Sequence, residues 1–347
     1  MGAVADPLAA TYGVSLAAIG LLTTALFVTH LGAQLPAGIG SDRLGARAVA
    51  LAAVGAAVSG NTLLLASDAY AVGIAGRLAV GIGSGAGFVA GLDLVRAGGG
   101  GPVLHGAYGG ATMAGGGLAL MVVPWLTDVT SWRAPYWSAL GLAVLAAVPL
   151  LAVGRLPRLR HTGEGPLRDR RLLPLGVLQA ATFGLAVVAG NWAVTLLERQ
   201  GAAPAVAGLV GGFILFAGVV TRPWGGTLAR RRTGQRAIIG ASLLAAAAGA
   251  SLLAAGGPLW VSATGAVALG LAAGVPFASI FDAAQRLRPD APGSAVALVN
   301  ACAVLTILVG TPLAGLAFEL PGDGQLAFAA IAALCILATA TLPRARL

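Results

Sequence analysis

A charged, glycine-containing loop, Gly38-Ile39-Gly40-Ser41-Asp42-Arg43-Leu44-Gly45-Ala46-Arg47, separates two long apolar runs. A weaker copy, Gly226-Thr227-Leu228-Ala229-Arg230-Arg231-Arg232-Thr233-Gly234, follows about 188 residues later. Such a loop at matched places in two apolar halves restricts the chain to a duplicated helical bundle held in a bilayer. The chain is 58% hydrophobic and 10% charged, where a soluble domain carries about 25% charged residues. Its apolar runs approach the ~20 residues that carry a helix across a ~30 Å hydrocarbon core. They are continuous rather than alternating, which excludes a membrane β-barrel.

The net charge is +9 and every basic residue is arginine. A basic balance also fits nucleic-acid binding, but these arginines sit in short loops on one side, so no nucleic-acid partner is expected. Cys302 and Cys335 are isolated in apolar runs and offer neither metal-ligand spacing nor a disulfide framework. No cofactor is implied. The start, Met1-Gly2-Ala3-Val4-Ala5-Asp6, lacks the basic region of a signal peptide and the Ser or Thr of a myristoylation site.

Hydropathy predicts eleven spans: 15–37, 48–66, 70–93, 103–126, 135–154, 172–197, 205–224, 237–256, 258–281, 294–318 and 325–342. Alternate loops then separate by charge. One set holds Arg43, Arg47, Arg96, the arginines of 155–171, Arg230, Arg231, Arg232, Arg236, Arg286 and Arg288, with Arg344 and Arg346 in the tail; the other holds only Arg133 and Arg199. The positive-inside rule places the first set and the C-terminus in the cytoplasm of a multi-pass plasma-membrane protein. The domains expected are an N-terminal bundle (1–154), a basic cytoplasmic linker (155–171) and a C-terminal six-helix bundle (172–347).

The repeat extends beyond the loop. At an offset of 188, Gly20, Gly38, Arg43 and Pro124 match Gly208, Gly226, Arg231 and Pro312; at 189, Gly81, Gly85 and Asp93 match Gly270, Gly274 and Asp282. The partner of span 172–197 would start before Met1. The expectation is a six-plus-six bundle whose first helix is absent from this chain, through a start codon assigned too late or a truncated gene.

These features resemble the major facilitator superfamily over the whole chain. The family's loop between its second and third helices runs Gly-x-Leu-Ala-Asp-Arg-x-Gly-Arg-Lys/Arg, and Gly38, Asp42, Arg43, Gly45 and Arg47 fit it; Gly40 stands where Leu is usual and Ala46 where Arg is usual. Trp132-Arg133-Ala134-Pro135-Tyr136-Trp137 is similar to the family's Trp-Arg-x-x-Phe entry to the sixth helix. The resemblance implies an all-α fold of two pseudo-symmetric bundles. It also implies a cytoplasmic gate in which the loop's Asp and Arg latch charge pairs and helix ends. Asp42 is suited to capping a helix N-terminus, and Arg43 is expected to pair with Asp93. Within the family, Gln34-Leu35-Pro36 and Arg222-Pro223-Trp224-Gly225-Gly226 resemble the nitrate/nitrite porters, which carry an anion-holding Arg in each of these helices. Here Arg222 is present and its symmetry mate is Gln34. The porters' fifth-helix Asn is absent from Gly109 to Gly117, so a related small anion or another organic solute fits equally.

Arg77 lies about 10 Å into span 70–93. An intramembrane Arg usually faces a cavity or a partner, and the family often has one here, linked to proton or substrate coupling; the alternative is a structural Arg bonded to carbonyls. Arg222 either snorkels to the interface or turns inward to a solute or gate, as Pro223 and Gly225-Gly226 favour. Thr23, His30 and Gln34 share one helix face; His30 suits a coupling proton or a hydrogen bond to a neighbouring helix. Asn191 with Thr195, and Asn300 with Thr306, line a cavity or bond between helices. Asp93 and Asp282 are expected in structural pairs. No carboxylate reaches the centre of a visible span, so a coupling acid would lie on the absent helix. The glycine runs Gly81 to Gly87 and Gly106 to Gly117 lack a preceding strand and a following Lys, so they are close-packing positions rather than phosphate loops.

The reading is a monomeric secondary transporter in the lipid bilayer, moving a small polar or anionic solute by alternating access with a coupling proton. The alternatives are a drug or metabolite exporter, or a truncated membrane protein that does not transport. Efflux members usually carry Gly-Pro-x-x-Gly-Gly in the fifth helix; its absence from span 103–126 points to uptake. No His/Cys/carboxylate cluster or Ser-His-Asp set suggests an enzyme.

Overall fold

Ala-, Leu- and Gly-rich runs give helices wherever proline and loop glycines do not interrupt them. The computed structural model describes residues 5–152, 154, 169–231, 233–322 and 324–347, and these contain helices and no strand. The first six are α1 (Ala5–Tyr12), α2 (Leu16–Leu44), α3 (Ala46–Ala66), α4 (Tyr70–Ala97), α5 (Pro102–Val129) and α6 (Ala134–Ala152). After a 3₁₀ turn at Arg170–Leu172 come α7 (Leu173–Gln179), a π-helical turn at Ala180–Gly184, α8 (Leu185–Arg199), α9 (Pro204–Phe216), α10 (Gly218–Ala229), α11 (Gln235–Ala255), α12 (Leu259–Gly274), α13 (Phe277–Leu287), α14 (Pro292–Ala317) and α15 (Gln325–Ala338). Among the described residues, nine helices, counting α7–α8, α9–α10 and α12–α13 each as one, are long and apolar enough to cross a membrane. Most of the expected linker, 155–168, and Arg232 lie outside the described residues.

Two compact units are present. The first holds α1–α4, α5 from Leu118, α6, and Asp290–Ala297 at the start of α14. Here α4 packs against both α2 and α3, and glycine makes this possible. A Cβ at Gly60 would lie 2.6 Å from the Gly76 carbonyl oxygen, and one at Gly76 2.8 Å from the Gly60 oxygen, so the α3 and α4 backbones touch. Close backbone contact supplies the dispersion that holds helices together where lipid removes the hydrophobic drive. Gly45, at φ +93°, ends α2 and donates its N–H to Ser41 O. Only glycine adopts this conformation without strain, which fixes the turn of the charged loop. At the opposite end of the unit, Tyr12, Tyr70, Trp132 and Tyr136 form an edge-to-face aromatic cluster, with Arg133 over Trp132 and paired to Asp68.

The second unit holds α5 up to Gly117, α7–α13, the rest of α14 and α15. It repeats the glycine contact 189 residues on. A Cβ at Gly249 of α11 would lie 2.5 Å from Gly265 O, and one at Gly265 of α12 2.6 Å from Gly249 O. Its long helices are interrupted where those of the first unit are not: by the π turn at Ala180–Gly184, at Ala217 between α9 and α10, and at Val275-Pro276 between α12 and α13. Proline explains the last break, since it has no N–H to continue the ladder.

Candidate functional site

Arg222 is the most deeply placed charge in the second unit. It sits on α10, just before Pro223, and is 2% exposed. Burial rules out snorkelling to the surface. Its guanidinium carbon lies 4.2 Å from the centroid of the Phe277 ring and 4.7 Å from that of Phe183. Nη1 donates to Gly109 O at 2.9 Å, while Nε is buried without a hydrogen-bond partner among the described residues. No ion pair reaches it among the described residues. Gly106 and Gly110 admit α5 against this stretch: a Cβ at Gly106 would strike the Arg222–Pro223 backbone, and one at Gly110 would lie 2.9 Å from Val219 O.

The guanidinium borders a recess lined by Met113, Phe183, Ala186, Ile214, Leu215, Gly218, Gly270, Ala273 and Gly274. The volume open to the centre of a water molecule is about 10 Å3, room for about one water. The lining residues flank all three helix interruptions: Phe183 lies in the π turn, Leu215 and Gly218 beside Ala217, and Gly274 beside Val275-Pro276. Interrupted helices free backbone groups and are a recurrent way to build a site within a membrane. A lone guanidinium in such surroundings attracts an anion, because burial weakens the screening of its charge. Gln179, four residues before Phe183, is 0% exposed, and neither its Nε2 nor its Oε1 has a partner among the described residues. Sequence reasoning passed over Gln179, since a glutamine near a helix start carries no distinguishing pattern.

In the first unit, Arg77 is half-buried on α4 and donates through Nε to Leu22 O at a long 3.4 Å. No carboxylate pairs with it among the described residues. His30, half-buried on α2, has Nδ1 2.8 Å from Ser84 Oγ, which in turn donates to Gly81 O. Gln34, one turn on, is fully buried, and Thr23 is half-buried.

The charged loop is organised as a clasp. Asp42 is 1% exposed; its Oδ1 accepts from Gly293 N at 2.8 Å, and its Oδ2 from Ser294 N at 2.9 Å and from Ser294 Oγ. It therefore caps the N-terminus of α14, where orphan N–H groups and the helix dipole favour a negative charge. Gly38 allows this approach, since a Cβ there would lie 2.6 Å from Gly293 O. Arg47 donates through Nε to Leu150 O at 2.7 Å and through Nη2 to Leu151 O at 3.0 Å, closing the C-terminal end of α6. The expected Arg43–Asp93 pair does not form. Asp93 is taken by Arg96, one turn along the same helix at 2.7 Å, and by Ser41 Oγ at 2.6 Å, while Arg43 is exposed. A neighbour already ordered on the same helix captures the carboxylate with less loss of side-chain freedom.

The second loop keeps only part of this design. Arg236, 189 residues after Arg47, donates to Ala345 O at 3.2 Å beyond the last helix. Asp282 pairs with Arg286. Where Asp42 stands in the first loop, the copy has Arg230. Gln235 instead bridges Leu228 O and Ser279 Oγ.

Asn191 is exposed and reaches Thr311 Oγ1 at 3.5 Å, beside Trp192, whose Nε1 donates to Thr311 O at 2.9 Å. With Trp192 stacked on Phe318 and Arg199 bonded to Phe318 O, this group ties α8 to the end of α14. Asn300 is 2% exposed. The described residues thus bring Arg222 together with Phe183, Phe277 and Gly109, and His30 with Ser84; they do not join Asn191 to the Arg222 recess.

The family model of the Major Facilitator Superfamily matches residues 1–287. None of the curated proteins matches the sequence. Among solved structures, the chain is similar to the human organic anion transporter MFSD10 (TETRAN), at 18% identity and a TM-score of 0.74, covering 97% of this chain and 88% of that one. It is also similar to a variant of the E. coli fucose:proton symporter FucP, at 16% identity and a TM-score of 0.73 over 100% and 95% of the two chains. A second FucP structure, in the outward conformation, gives 17% identity and a TM-score of 0.70 over 99% and 96%. At these identities the structural likeness establishes the fold, and the family match over most of the chain carries the assignment: the protein belongs to the major facilitator superfamily and is a multi-pass membrane transporter rather than an enzyme.

Proposed function

We propose that this transporter moves a small anionic solute by alternating access and that Arg222 is its anion-binding residue. One observation carries the reading: a fully buried guanidinium, clasped by two phenyl rings beside three helix interruptions, has an unsatisfied Nε and no carboxylate partner among the described residues. Leaving a charge unpaired inside a membrane protein is costly, and a cost kept at such a place is accounted for when an anion arrives. In the first unit, Arg77 also has no acidic partner among the described residues. The printed description of MFSD10 as an organic anion transporter agrees in chemistry.

His30, hydrogen-bonded to Ser84 on the face it shares with Gln34, is the coupling-proton candidate. The gate is the Asp42, Arg43, Gly45 and Arg47 loop with Asp93 and Gly38. The protein sits as a monomer in the plasma membrane, the arginine-rich loops and C-terminus facing the cytoplasm. Reconstituted protein should accumulate a radiolabelled small carboxylate under an inward proton gradient, with Arg222→Gln at background. Accumulation or extrusion of lipophilic cations in place of anions would overturn the reading.

A further inference from the structure

Gln179 takes no part in the anion reading of Arg222, yet it is a neutral amide shut inside the second unit. It is completely buried, and its amide nitrogen and oxygen both lack hydrogen-bond partners among the described residues. A membrane interior supplies no bulk water to such a group. Its position is specific. Gln179 stands one helical turn before Phe183. Phe183 and Ala186 line the Arg222 recess, and Phe183 stacks on the guanidinium itself. The turn between them, Ala180–Gly184, is π-helical. Its wider winding brings residues 179 and 183 nearly into line, and such turns concentrate at functional sites.

The two unsatisfied groups differ in chemistry. Arg222 offers only donors and positive charge, which suits a carboxylate. A glutamine amide offers a donor and an acceptor side by side; the natural match is a group that both accepts and donates, and on a small organic anion that group is a hydroxyl. We propose that Gln179 is a specificity-determining residue and that the solute is a hydroxylated carboxylate. Its carboxylate meets Arg222 and its hydroxyl meets Gln179 as the recess widens beyond the single-water volume seen here. This inference rests on the anion reading of Arg222 and refines it.

The test is equilibrium binding to the full chain in detergent, using lactate against propionate and 3-hydroxybutyrate against butyrate. A hydroxylated acid should bind about tenfold more tightly than its parent in at least one pair, the scale of a satisfied hydrogen bond. Gln179→Leu should erase that preference while leaving the parent acid's affinity unchanged, and Arg222→Gln should abolish binding of both. Equal binding within both pairs would overturn the inference, as would a Gln179→Leu variant that weakens parent and hydroxylated acid alike, the mark of a purely structural glutamine. Gln179→Met, closer in shape, serves in the same comparison if the leucine variant does not fold. No binding of any carboxylate to the wild type would be a distinct failure, removing the anion reading itself.

Discussion

Arg77 on α4 and Arg222 on α10 are both guanidiniums with no carboxylate partner among the described residues, one in each unit, yet their surroundings differ in kind. Arg77 is half-buried, belongs to an uninterrupted 28-residue helix and has a carbonyl within a long hydrogen bond. Arg222 is sealed between two phenyl rings where three helices are interrupted, and its Nε has no hydrogen-bond partner among the described residues. Both arginines reach a backbone carbonyl, but Arg77 is only half-buried, whereas Arg222 is closed off with Nε unsatisfied among the described residues, which is the costlier arrangement. On the proposed anion reading, direct solute contact falls to Arg222 and a supporting electrostatic role to Arg77.

The sharpest way to break the comparison is to neutralise each arginine in turn. Arg222→Gln should lower anion uptake roughly hundredfold, since the partner charge is lost in a desolvated site. Arg77→Gln should lower it roughly tenfold, the scale of one charge-assisted hydrogen bond. Initial rates in vesicles, normalised to folded protein, decide this, and equal losses would end the distinction. A second comparison sets the matched glycine contacts against each other. Gly60→Val and Gly249→Val should each cost about 1–3 kcal/mol of stability, because each side chain meets a backbone oxygen. Thermal unfolding in detergent should show similar losses, and a loss in only one unit would show that the repeat is not equivalent in packing.

The charged loops give the third contrast. Asp42→Asn should cost about 1 kcal/mol, the worth of a charged cap on α14, whereas Arg230→Gln in the second loop should leave the melting temperature unchanged. The smallest expected effect lies outside the membrane. Arg171, through hydrogen bonds, holds the Asp169 carboxyl below its ordinary 3.8. Its contribution is therefore complete above that value and disappears as pH falls through the lower folded value. Asp169→Asn should lower stability slightly at neutral pH and flatten its decline in acid, and a variant that differs from the wild type only at low pH would contradict the sign.

Much of the fold was legible because membrane helices announce themselves by length and hydropathy, and because the loop and its copy fix the duplication. The Gly60–Gly76 and Gly249–Gly265 contacts were present in the sequence at an offset of 189, but isolated glycines in Gly-rich runs do not say which face they occupy. The match of Arg47 with Arg236 went unseen because the loop copies align at 188 and the helices after them at 189; Arg47 bonds to carbonyls at the end of α6 and Arg236 to Ala345 O beyond the last helix. For Arg222, the adjoining Pro223 and Gly225-Gly226 hinted at an inward turn, but its aromatic clasp comes from Phe183 and Phe277, residues far away in sequence with no motif of their own. The π turn beside Gln179 leaves no compositional trace. Asp93 was expected to pair with Arg43, but Arg96 holds it, and the sequence does not show that Arg96 is ordered by the same helix.

The central claim is that Arg222 carries an unpaired charge kept for an anion, and it is tested most directly by the melting temperature of Arg222→Met beside wild type, each with and without a panel of small carboxylates. Replacing a buried ionic group by an apolar side chain of similar length often leaves a protein as stable or more so. The account predicts that the empty variant melts at or above the wild type and that only the wild type is stabilised by a carboxylate. A variant that melts well below a wild type indifferent to every anion would make Arg222 a structural residue and contradict the account.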